Sequence, residues 1–236
     1  MAELLRVSGP SGPELSLFEG EAHGLLGPSG SGKSAWLQAI AGQRSTAALH
    51  VRYRAREVGA MSQQWRAAGG LVLCGQVPSV FRGSSVMDNL MLAILARRGG
   101  AGQWWRTRSR LIVEQAEAEA LAQKLDLLHG LDSPAERLSL AEQRRLDIGL
   151  ALSAQPRLLL LDQPLAGLSL DESSVMRALL QRLRSHMSLL IAEASPALMQ
   201  GLVDRVWLLD QGQLLPAIKP AARSVPSSAR PLQVPA

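Results

Sequence analysis

The most informative part of the sequence is Gly27-Pro28-Ser29-Gly30-Ser31-Gly32-Lys33-Ser34. It matches the pattern G-x-x-x-x-G-K-[ST] at every fixed position, and it lies between a strand candidate at 22–26 and a helix candidate at 32–41. Glycines let the backbone curl so that amide hydrogens point at phosphate oxygens, and the start of a helix adds partial positive charge. The stretch therefore predicts a phosphate-binding loop, in preference to an empty glycine-rich turn.

Two side chains of this loop have separate expected roles. Lys33 would reach the β- and γ-phosphates of a nucleotide, and the Ser34 hydroxyl would bind Mg²⁺. The apolar run 158–161 ends in Asp162, and a carboxylate at the end of a buried strand is a candidate second ligand for that cation. Such an Asp on its own more often marks a strand that meets a turn. Together with the loop, it indicates a magnesium–nucleotide site.

Composition limits the classes of partner and compartment. The formal charge is +5, and Lys33 is one of three lysines, so arginine supplies most of the positive charge. This balance favours anionic partners, meaning nucleotides, nucleic acid or an acidic membrane surface. Cys74 is the only cysteine, which excludes an intrachain disulfide. The sequence has no signal-peptide pattern and no apolar run of membrane-spanning length, so we expect membrane attachment only through a partner.

Strand and helix candidates alternate along the chain around a helical block. The strand candidates are 4–7, 14–18, 22–26, 48–53, 71–73, 158–162 and 188–191. The helix candidates are 32–41, 85–95, 111–128, 139–153 and 171–184. This alternation predicts an α/β fold with a mostly parallel sheet covered by helices and a small antiparallel strand region. Residues 42–70 are polar and weakly periodic, and they give no further element.

The same pattern predicts how the chain is divided. We expect an α/β core at 1–79 and 155–215 and an inserted helical subdomain at 80–154. Residues 216–236 are dominated by Pro, Ala, Ser and Arg, and they lack the apolar periodicity that packing requires. They are predicted to form a flexible tail.

The order of the motifs resembles the ABC transporter ATPase family. The motifs are the loop at 27–34, Gln76 after a strand, Leu138-Ser139-Leu140-Ala141-Glu142 at the start of a helix, and Asp162. The resemblance covers residues 14–212 and implies the P-loop NTPase fold of that family. The stretch 138–152, with Ala166-Gly167-Leu168, is most similar to the ATPases of branched-chain amino-acid importers.

In that family, two subunits clamp two ATP molecules at their interface, so the resemblance implies ATP and Mg²⁺ as ligands. Ser139 would contact the γ-phosphate of the ATP bound to a second ATPase subunit, with a heterodimer favoured over a homodimer. Gln76 would contact Mg²⁺ and the attacking water, while its loop receives a transmembrane permease subunit. The chain would then lie peripherally on the cytoplasmic face of the cell membrane. From the letters alone, Ser139 and Glu142 equally fit a helix capping box.

The chain departs from the family at the positions that split ATP. Gln163 follows Asp162, where the family has a glutamate that orients or deprotonates the attacking water. A neutral amide cannot accept that proton. Ala194 follows Glu193, where the family has its switch histidine. The resemblance therefore implies a nucleotide site with impaired hydrolysis.

Two further departures affect contacts with the nucleotide. Leu140 and Ala141 replace small or glycine residues, and Glu142 replaces a common glutamine, which hinders close approach to a phosphate. The segment 7–13 lacks the aromatic residue that usually stacks on adenine. Binding should therefore depend mainly on contacts with the phosphates.

These observations favour the ATP-binding subunit of an ABC-type membrane importer, with slow or absent hydrolysis in its own site. The alternative is a non-transport regulatory or assembly protein that uses ATP-dependent closure as a switch. A small-molecule kinase on another P-loop fold leaves the order of Gln76, Ser139 and Asp162 unexplained. The basic aromatic stretch 104–110 could bind nucleic acid, but it equally fits a solvated loop or a permease contact, and nucleic acid is not expected as a partner.

Overall fold

The computed structural model describes residues 2–9, 12–44, 49–99 and 111–218. Its strands are β1 (Glu3–Ser8), β2 (Leu15–Phe18), β3 (Ala22–Leu26), β4 (His50–Tyr53), β5 (Arg56–Glu57), β6 (Leu71–Cys74), β7 (Leu158–Asp162), β8 (Ser188–Glu193), β9 (Arg205–Asp210) and β10 (Gln213–Ile218). Its α-helices are α1 (Lys33–Ala41), α2 (Gln63–Ala68), α3 (Val86–Arg97), α4 (Ile112–Lys124), α5 (Leu140–Ser153), α6 (Leu170–Arg184) and α7 (Pro196–Met199). The basic stretch 104–110 and residues 219–236 of the predicted tail lie outside the described residues.

A six-stranded sheet in the order β10-β9-β3-β8-β7-β6 forms the centre of the fold. The pairs from β9 to β6 are parallel, and β10 joins β9 in the antiparallel direction at one edge. Strands β1, β2, β4 and β5 form a separate antiparallel sheet in the order β2-β1-β4-β5. The predicted α/β fold with a small antiparallel region is confirmed.

Each face of the central sheet has its own hydrophobic core. Along β7, Leu159 and Leu161 pack in a core with α3, α5 and α6, whereas Leu158 and Leu160 pack in a second core with α1 and the antiparallel sheet. Successive side chains of a strand point to opposite faces, so a continuous apolar run fits a strand that is covered on both sides. This burial fixes the carboxyl end of β7, where Asp162 lies.

Helices α3, α4 and α5 lie between β6 and β7 in the chain, as the predicted helical block requires. Ser85 and Ser139 are the N-caps of α3 and α5, and each side chain accepts a hydrogen bond from the backbone of the first helical turn. The helices predicted at 85–95 and 139–153 are therefore confirmed. The boundaries of an inserted subdomain at 80–154 remain a prediction, because these helices share a core with the sheet.

The helix predicted at 111–128 is wrong at its carboxyl end. Helix α4 ends at Lys124, and Asp126 adopts a left-handed conformation with φ of 57°. The amides of Asp126 and Leu127 turn back and donate to the carbonyls of Gln123 and Ala122. This is the Schellman arrangement, in which a left-handed residue closes a helix. The apolar run continues in sequence because the turn itself buries Leu127.

Five of the strands and α-helices had no counterpart in the prediction: β5, α2, α7, β9 and β10. Strands β9 and β10 are joined by Gln211 and Gly212, which both have positive φ, as in a two-residue hairpin turn. Strand β10 runs to Ile218, past the predicted end of the core at 215. Among the helices of the described ranges, none combines the length and the apolar character that crossing a bilayer requires.

Candidate functional site

The loop at 27–34 connects β3 to α1 and depends on its glycines. Gly32 precedes the helix with φ of 100°, a left-handed conformation that favours glycine. A Cβ atom on Gly27 would lie 2.2 Å from the carbonyl oxygen of Leu209, so β9 leaves no room for a side chain there. Helix α1 has no side-chain N-cap and no acidic residue in its first turn. Its first amides therefore remain available to an anion.

The Lys33 ammonium group lies inside this loop. Its Nζ donates to the carbonyl oxygens of Gly27 at 2.7 Å and Pro28 at 2.8 Å, and the residue is 3% exposed. Burial lowers the pKa of Lys33, while the carboxylates of Asp162 and Glu193 oppose that shift. The loop thus holds a buried positive charge at its centre, as a phosphate site requires.

The hairpin between β9 and β10 supports the loop from one side. The Gly212 amide donates to the Ser31 carbonyl at 2.9 Å, and the Trp36 indole donates to the Gly212 carbonyl at 3.3 Å. The sequence prediction missed this contact. The continuous apolar run 206–209 before the residue pair Gln211 and Gly212 was the signal that could have revealed it.

Asp162 and Ser34 form the predicted cation side of the site. Asp162 lies at the carboxyl end of β7 and is 5% exposed, and its side chain is hydrogen-bonded by Ser34. Its Oδ1 atom has no hydrogen-bond partner within the described structure. Burial raises the pKa of Asp162, whereas Ser34 and Lys33 act in the opposite direction.

A buried carboxylate oxygen without a partner, next to a hydroxyl, fits a hard divalent cation such as Mg²⁺. In the described part of the chain, no group of three or more His, Cys, Asp or Glu side chains could hold a metal ion. A cation here would therefore need further oxygen ligands from phosphate or water, as Mg²⁺ commonly uses.

Gln163 and Ala194 lie at the same edge of the sheet as Asp162. Asp162 pairs in register with Ala192 of β8, and the Gln163 amide donates to the Ala192 carbonyl at 2.9 Å. Gln163 adopts φ of 52°. Ala194 follows β8 and is exposed, so a larger side chain at that position would extend into solvent.

The buried acid nearest to these two positions is already engaged. Glu193 is 1% exposed, and its Oε1 accepts a hydrogen bond from the Leu165 amide at 2.9 Å. Burial raises the pKa of Glu193, and hydrogen bonds from the backbone of Leu165 and Ala194 oppose the rise. Its carboxyl group fixes the loop after β7 and does not extend from the edge as the missing glutamate would.

Gln76 lies on the exposed loop after β6. Because Cys74 pairs in register with Leu161, this loop leaves the sheet beside the end of β7, where Asp162 lies. The structure therefore brings Gln76, Asp162 and the loop at 27–34 to one edge of the central sheet. This is the edge where ligands bind in open α/β sheets.

Ser139 begins α5 and forms the capping box that the sequence allows. The Ser139 amide donates to Glu142 Oε2 at 2.8 Å, and the Glu142 amide donates to Ser139 Oγ at 3.3 Å. The other carboxylate oxygen of Glu142 lies 2.7 Å from His129 Nε2. Among the described contacts, none joins Ser139 to the loop at 27–34 of the same chain.

Comparison with known proteins identifies the family. The ABC transporter family model matches residues 11–166. The chain is 29% identical over 206 residues to the high-affinity branched-chain amino acid transport ATP-binding protein LivG of Salmonella typhimurium, with 84% of this chain and 80% of that protein covered. It is 33% identical over 203 residues to the lipopolysaccharide export system ATP-binding protein LptB of Acidithiobacillus ferridurans, with 85% and 80% covered.

Solved structures agree on the fold. A nucleotide-free ATP-binding cassette from an ABC transporter has a TM-score of 0.77 at 22% identity, with 93% of this chain and 92% of that one covered. A dimeric cassette in a post-hydrolysis state, bound to ADP and phosphate, has a TM-score of 0.74 at 17% identity, with 94% and 98% covered. The phosphate loop, the strand order and these likenesses together lead to one conclusion: the chain belongs to the ABC transporter family, as one of its ATP-binding subunits.

Proposed function

We propose that this chain is the ATP-binding subunit of an ABC-type membrane importer, in which it holds MgATP at a dimer interface with slow or absent hydrolysis in its own site. The observation that carries the proposal is the contrast around Asp162. A buried ammonium and an unpartnered carboxylate oxygen lie in the phosphate site, while the next residue along the chain is a neutral amide.

Binding would be divided among three side chains. Lys33 would exchange its contacts with the loop carbonyls for contacts with phosphate oxygens, which are stronger acceptors for an ammonium group. Ser34 and Asp162 would hold Mg²⁺, with Gln76 approaching from the neighbouring loop. When bound, the cation neutralises part of the charge on the triphosphate. These contacts involve only the phosphates, so they do not require an aromatic residue on the base.

Hydrolysis would be slow because positions 163 and 194, where the family has its glutamate and histidine, carry no group that can accept a proton from water. The Gln163 amide is neutral, Ala194 has no polar atom, and Glu193 is held by backbone amides. Asp171 and Glu172 lie in the first turn of α6, where Glu172 completes a capping box with Ser169. Glu172 is therefore occupied at the helix start, and Asp171 beside it is an exposed first-turn acid, so neither is proposed to substitute for the missing glutamate.

Two partners are proposed, a second ATPase subunit and a transmembrane permease subunit. A second ATPase subunit would face Ser139, and a heterodimer is favoured because a partner with an intact P-loop, glutamate and histidine could hydrolyse ATP in its own site. A transmembrane permease subunit would contact the exposed loop around Gln76, which would place the chain peripherally on the cytoplasmic face of the cell membrane. Import is favoured by the similarity of residues 138–152 to importer ATPases, although relatives near 30% identity include both an import and an export protein.

The substitutions at 163 and 194 also support a second candidate, a non-transport regulatory or assembly protein. ATP that binds the closed dimer more tightly than the open one shifts the population towards closure without any bond being broken. Stable association with a multispan membrane protein separates the two candidates, because only the transporter subunit requires it.

The proposal is tested by titrating the purified chain with ATP in the presence of Mg²⁺ and in the presence of EDTA, followed by an assay of phosphate release. We expect saturable binding that is tighter with Mg²⁺, and little or no release of phosphate. Absence of binding under both conditions would overturn the assignment of an ATP site. Rapid release of phosphate would overturn the proposed impairment while leaving the site in place.

A further inference from the structure

Helix α5 contacts the two loops that follow β6 and β7 at the proposed site. Arg144 and Asp147 are three residues apart on this helix, so their side chains lie on one face. Asp147 reaches the loop after β6, which carries Gln76. Arg144 reaches the loop after β7, which carries Gln163. The helix that begins at Ser139 is therefore joined to this chain's own site by two side chains.

Asp147 holds the loop after β6. Its Oδ1 atom accepts a hydrogen bond from the Ser79 amide at 3.0 Å, and the Cys74 thiol lies 3.8 Å from its backbone carbonyl. The residue is 7% exposed, and burial raises the pKa of its carboxyl group to about 6. Gln76 lies between the two points that Asp147 contacts, so the position of Asp147 limits where the loop can place Gln76.

Arg144 holds the loop after β7. Its guanidinium donates to the carbonyl oxygens of Pro164, at 3.3 Å, and of Ala166. From the other side of the same loop, Glu193 accepts a hydrogen bond from the Leu165 amide. Two charged side chains thus bind one backbone polar group on each of residues 164, 165 and 166, immediately after Gln163.

A small cavity joins these contacts to the predicted cation ligand. Its volume is about 10 Å³, which is close to the space that one water molecule needs. Arg144 and Asp147 line it together with Gly75 and Asp162. Asp162 therefore lines the same small cavity as both side chains of α5, and a shift of the helix changes the surroundings of the carboxylate.

We propose that Arg144 and Asp147 are positioning residues that hold Gln76 and Asp162 in the geometry that binds Mg²⁺ with ATP. The inference rests on the proposed function, because it assigns these two residues to the same nucleotide site. Neither side chain is a ligand in this account. Each acts through the backbone of a loop, as the residues behind metal ligands commonly do.

The experiment measures how much Mg²⁺ strengthens binding of a fluorescent ATP analogue. Asp147→Leu removes the acceptor of the Ser79 amide while keeping the branched shape of the side chain, whereas Asp147→Asn keeps an oxygen acceptor without the charge. Arg144→Met removes both donors but keeps the length of the side chain. We expect Asp147→Leu and Arg144→Met to raise the Mg²⁺ concentration for half-maximal effect by roughly 10- to 100-fold. Asp147→Asn should stay within about threefold of the unmodified chain.

Arg177→Met is the matched control. Arg177 also donates to two loop carbonyls, those of Leu198 and Gln200, which follow β8 and lie outside the loops after β6 and β7. This variant should leave the effect of Mg²⁺ unchanged. Affinity for the analogue in EDTA should be the same in all variants, because Lys33 and the loop amides are intact, and equal affinity also shows that each variant is folded.

Hydrogen exchange of the Ser79 amide gives a second readout without nucleotide, and we expect faster exchange in Asp147→Leu than in Asp147→Asn. If Asp147→Leu and Arg144→Met retain the full effect of Mg²⁺, the positioning role is wrong while the ATP site stands. If the unmodified chain binds neither with nor without Mg²⁺, the proposed function and this inference fall together.

Discussion

The loop at 27–34 and the strand ends at Gln163 and Ala194 lie at one edge of the central sheet but differ in what they can do to a phosphate. The loop has a buried ammonium and a free helix start, and Asp162 beside it has an unpartnered oxygen. At positions 163 and 194 there is no ionisable group. Binding an anion requires fixed positive charge and amide donors, whereas splitting one also requires a base. The loop has the first set of groups, and positions 163 and 194 do not supply the second.

The largest expected effect comes from restoring ionisable groups at positions 163 and 194, which would remove the difference between these positions and the loop at 27–34. We expect the double variant Gln163→Glu with Ala194→His to release phosphate from ATP roughly 100-fold or more faster than the unmodified chain, in line with the usual contribution of a positioned base. The exposed position of Ala194 gives the histidine room. The measurement is steady-state phosphate release from both proteins at equal concentration.

Each single variant is the control for that experiment. Gln163→Glu alone should recover only part of the rate, and Ala194→His alone should recover almost none, because only the first places a carboxylate directly after Asp162, where the family has the residue that orients or deprotonates water. If the unmodified chain released phosphate as rapidly as the double variant, the site would hydrolyse ATP without either group. The contrast between the loop at 27–34 and positions 163 and 194 would then be wrong.

Removing the charge from the binding region should have the next largest effect. Lys33→Met keeps the length of the side chain but loses hydrogen bonds from a charged donor, so affinity for MgATP should fall by about 3 kcal/mol, or roughly 100-fold. Titration calorimetry checks this. Lys124→Met is the matched control, because Lys124 is an exposed lysine at the end of α4 and should not affect binding. Unchanged affinity in Lys33→Met would show that the loop does not grip the triphosphate.

The charge of Glu142, in the first turn of α5, is expected to affect ATP-dependent association. Burial acts to raise its pKa, but hydrogen bonds with Ser139 and His129 outweigh this and lower the pKa, so the side chain is charged at neutral pH. In the proposed dimer, a negative charge there would repel the phosphates of the partner's ATP. We expect Glu142→Gln to tighten ATP-dependent self-association about fivefold, which corresponds to about 1 kcal/mol at a partly solvated site.

The same substitution should cost the helix some stability, about 0.5 to 1 kcal/mol, because the capping box is weakened. Analytical ultracentrifugation with and without ATP separates the two effects. Glu172→Gln is the control, since Glu172 forms the same type of capping box with Ser169 at α6. Weaker association in Glu142→Gln would show that the carboxylate helps the interface.

The sequence was sufficient for the parts of the site that depend on neighbours along the chain. The loop at 27–34 and Asp162 could be predicted because glycine spacing and an apolar run specify local structure directly. The Leu165 amide donates to Glu193, which is 28 positions away in the sequence. The Ser79 amide donates to Asp147, which is 68 positions away. No local pattern encodes such pairs, so these contacts became visible only in the folded chain.

The end of α4 shows a different limit. The leucines after Lys124 continue an apolar pattern, which predicts a longer helix, but the left-handed Asp126 ends it. Asp tolerates this conformation better than most residues, yet it is also common inside and at the start of helices. The letter alone therefore does not specify where the chain turns, and packing of the next leucine decides it.

The smallest expected effect concerns β3. This strand leads into the loop at 27–34 and pairs with β8, the strand before Ala194, so it supports both regions compared above. His23 on β3 is fully buried, and its Nδ1 lies 3.2 Å from the Trp207 indole nitrogen. An indole N–H can only donate, so Nδ1 must accept, and Nε2 carries the proton towards Glu21 at 2.9 Å. Burial lowers the pKa of His23, with Arg205 acting in the same direction and Glu21 and Asp204 opposing it.

The unfolded chain therefore takes up a proton near pH 6.5, while the folded chain resists it, so the free energy of unfolding should fall as the pH drops below 6.5. The slope is at most about 1.4 kcal/mol per pH unit. Asp147, with a pKa of about 6, has the opposite sign, because its carboxyl takes up a proton in the folded state first and stabilises it on acidification. Urea denaturation between pH 5 and 6.5 should therefore be measured in an Asp147→Asn background. There, adding His23→Leu should flatten the slope, and a slope that remained would assign the acid sensitivity to another group.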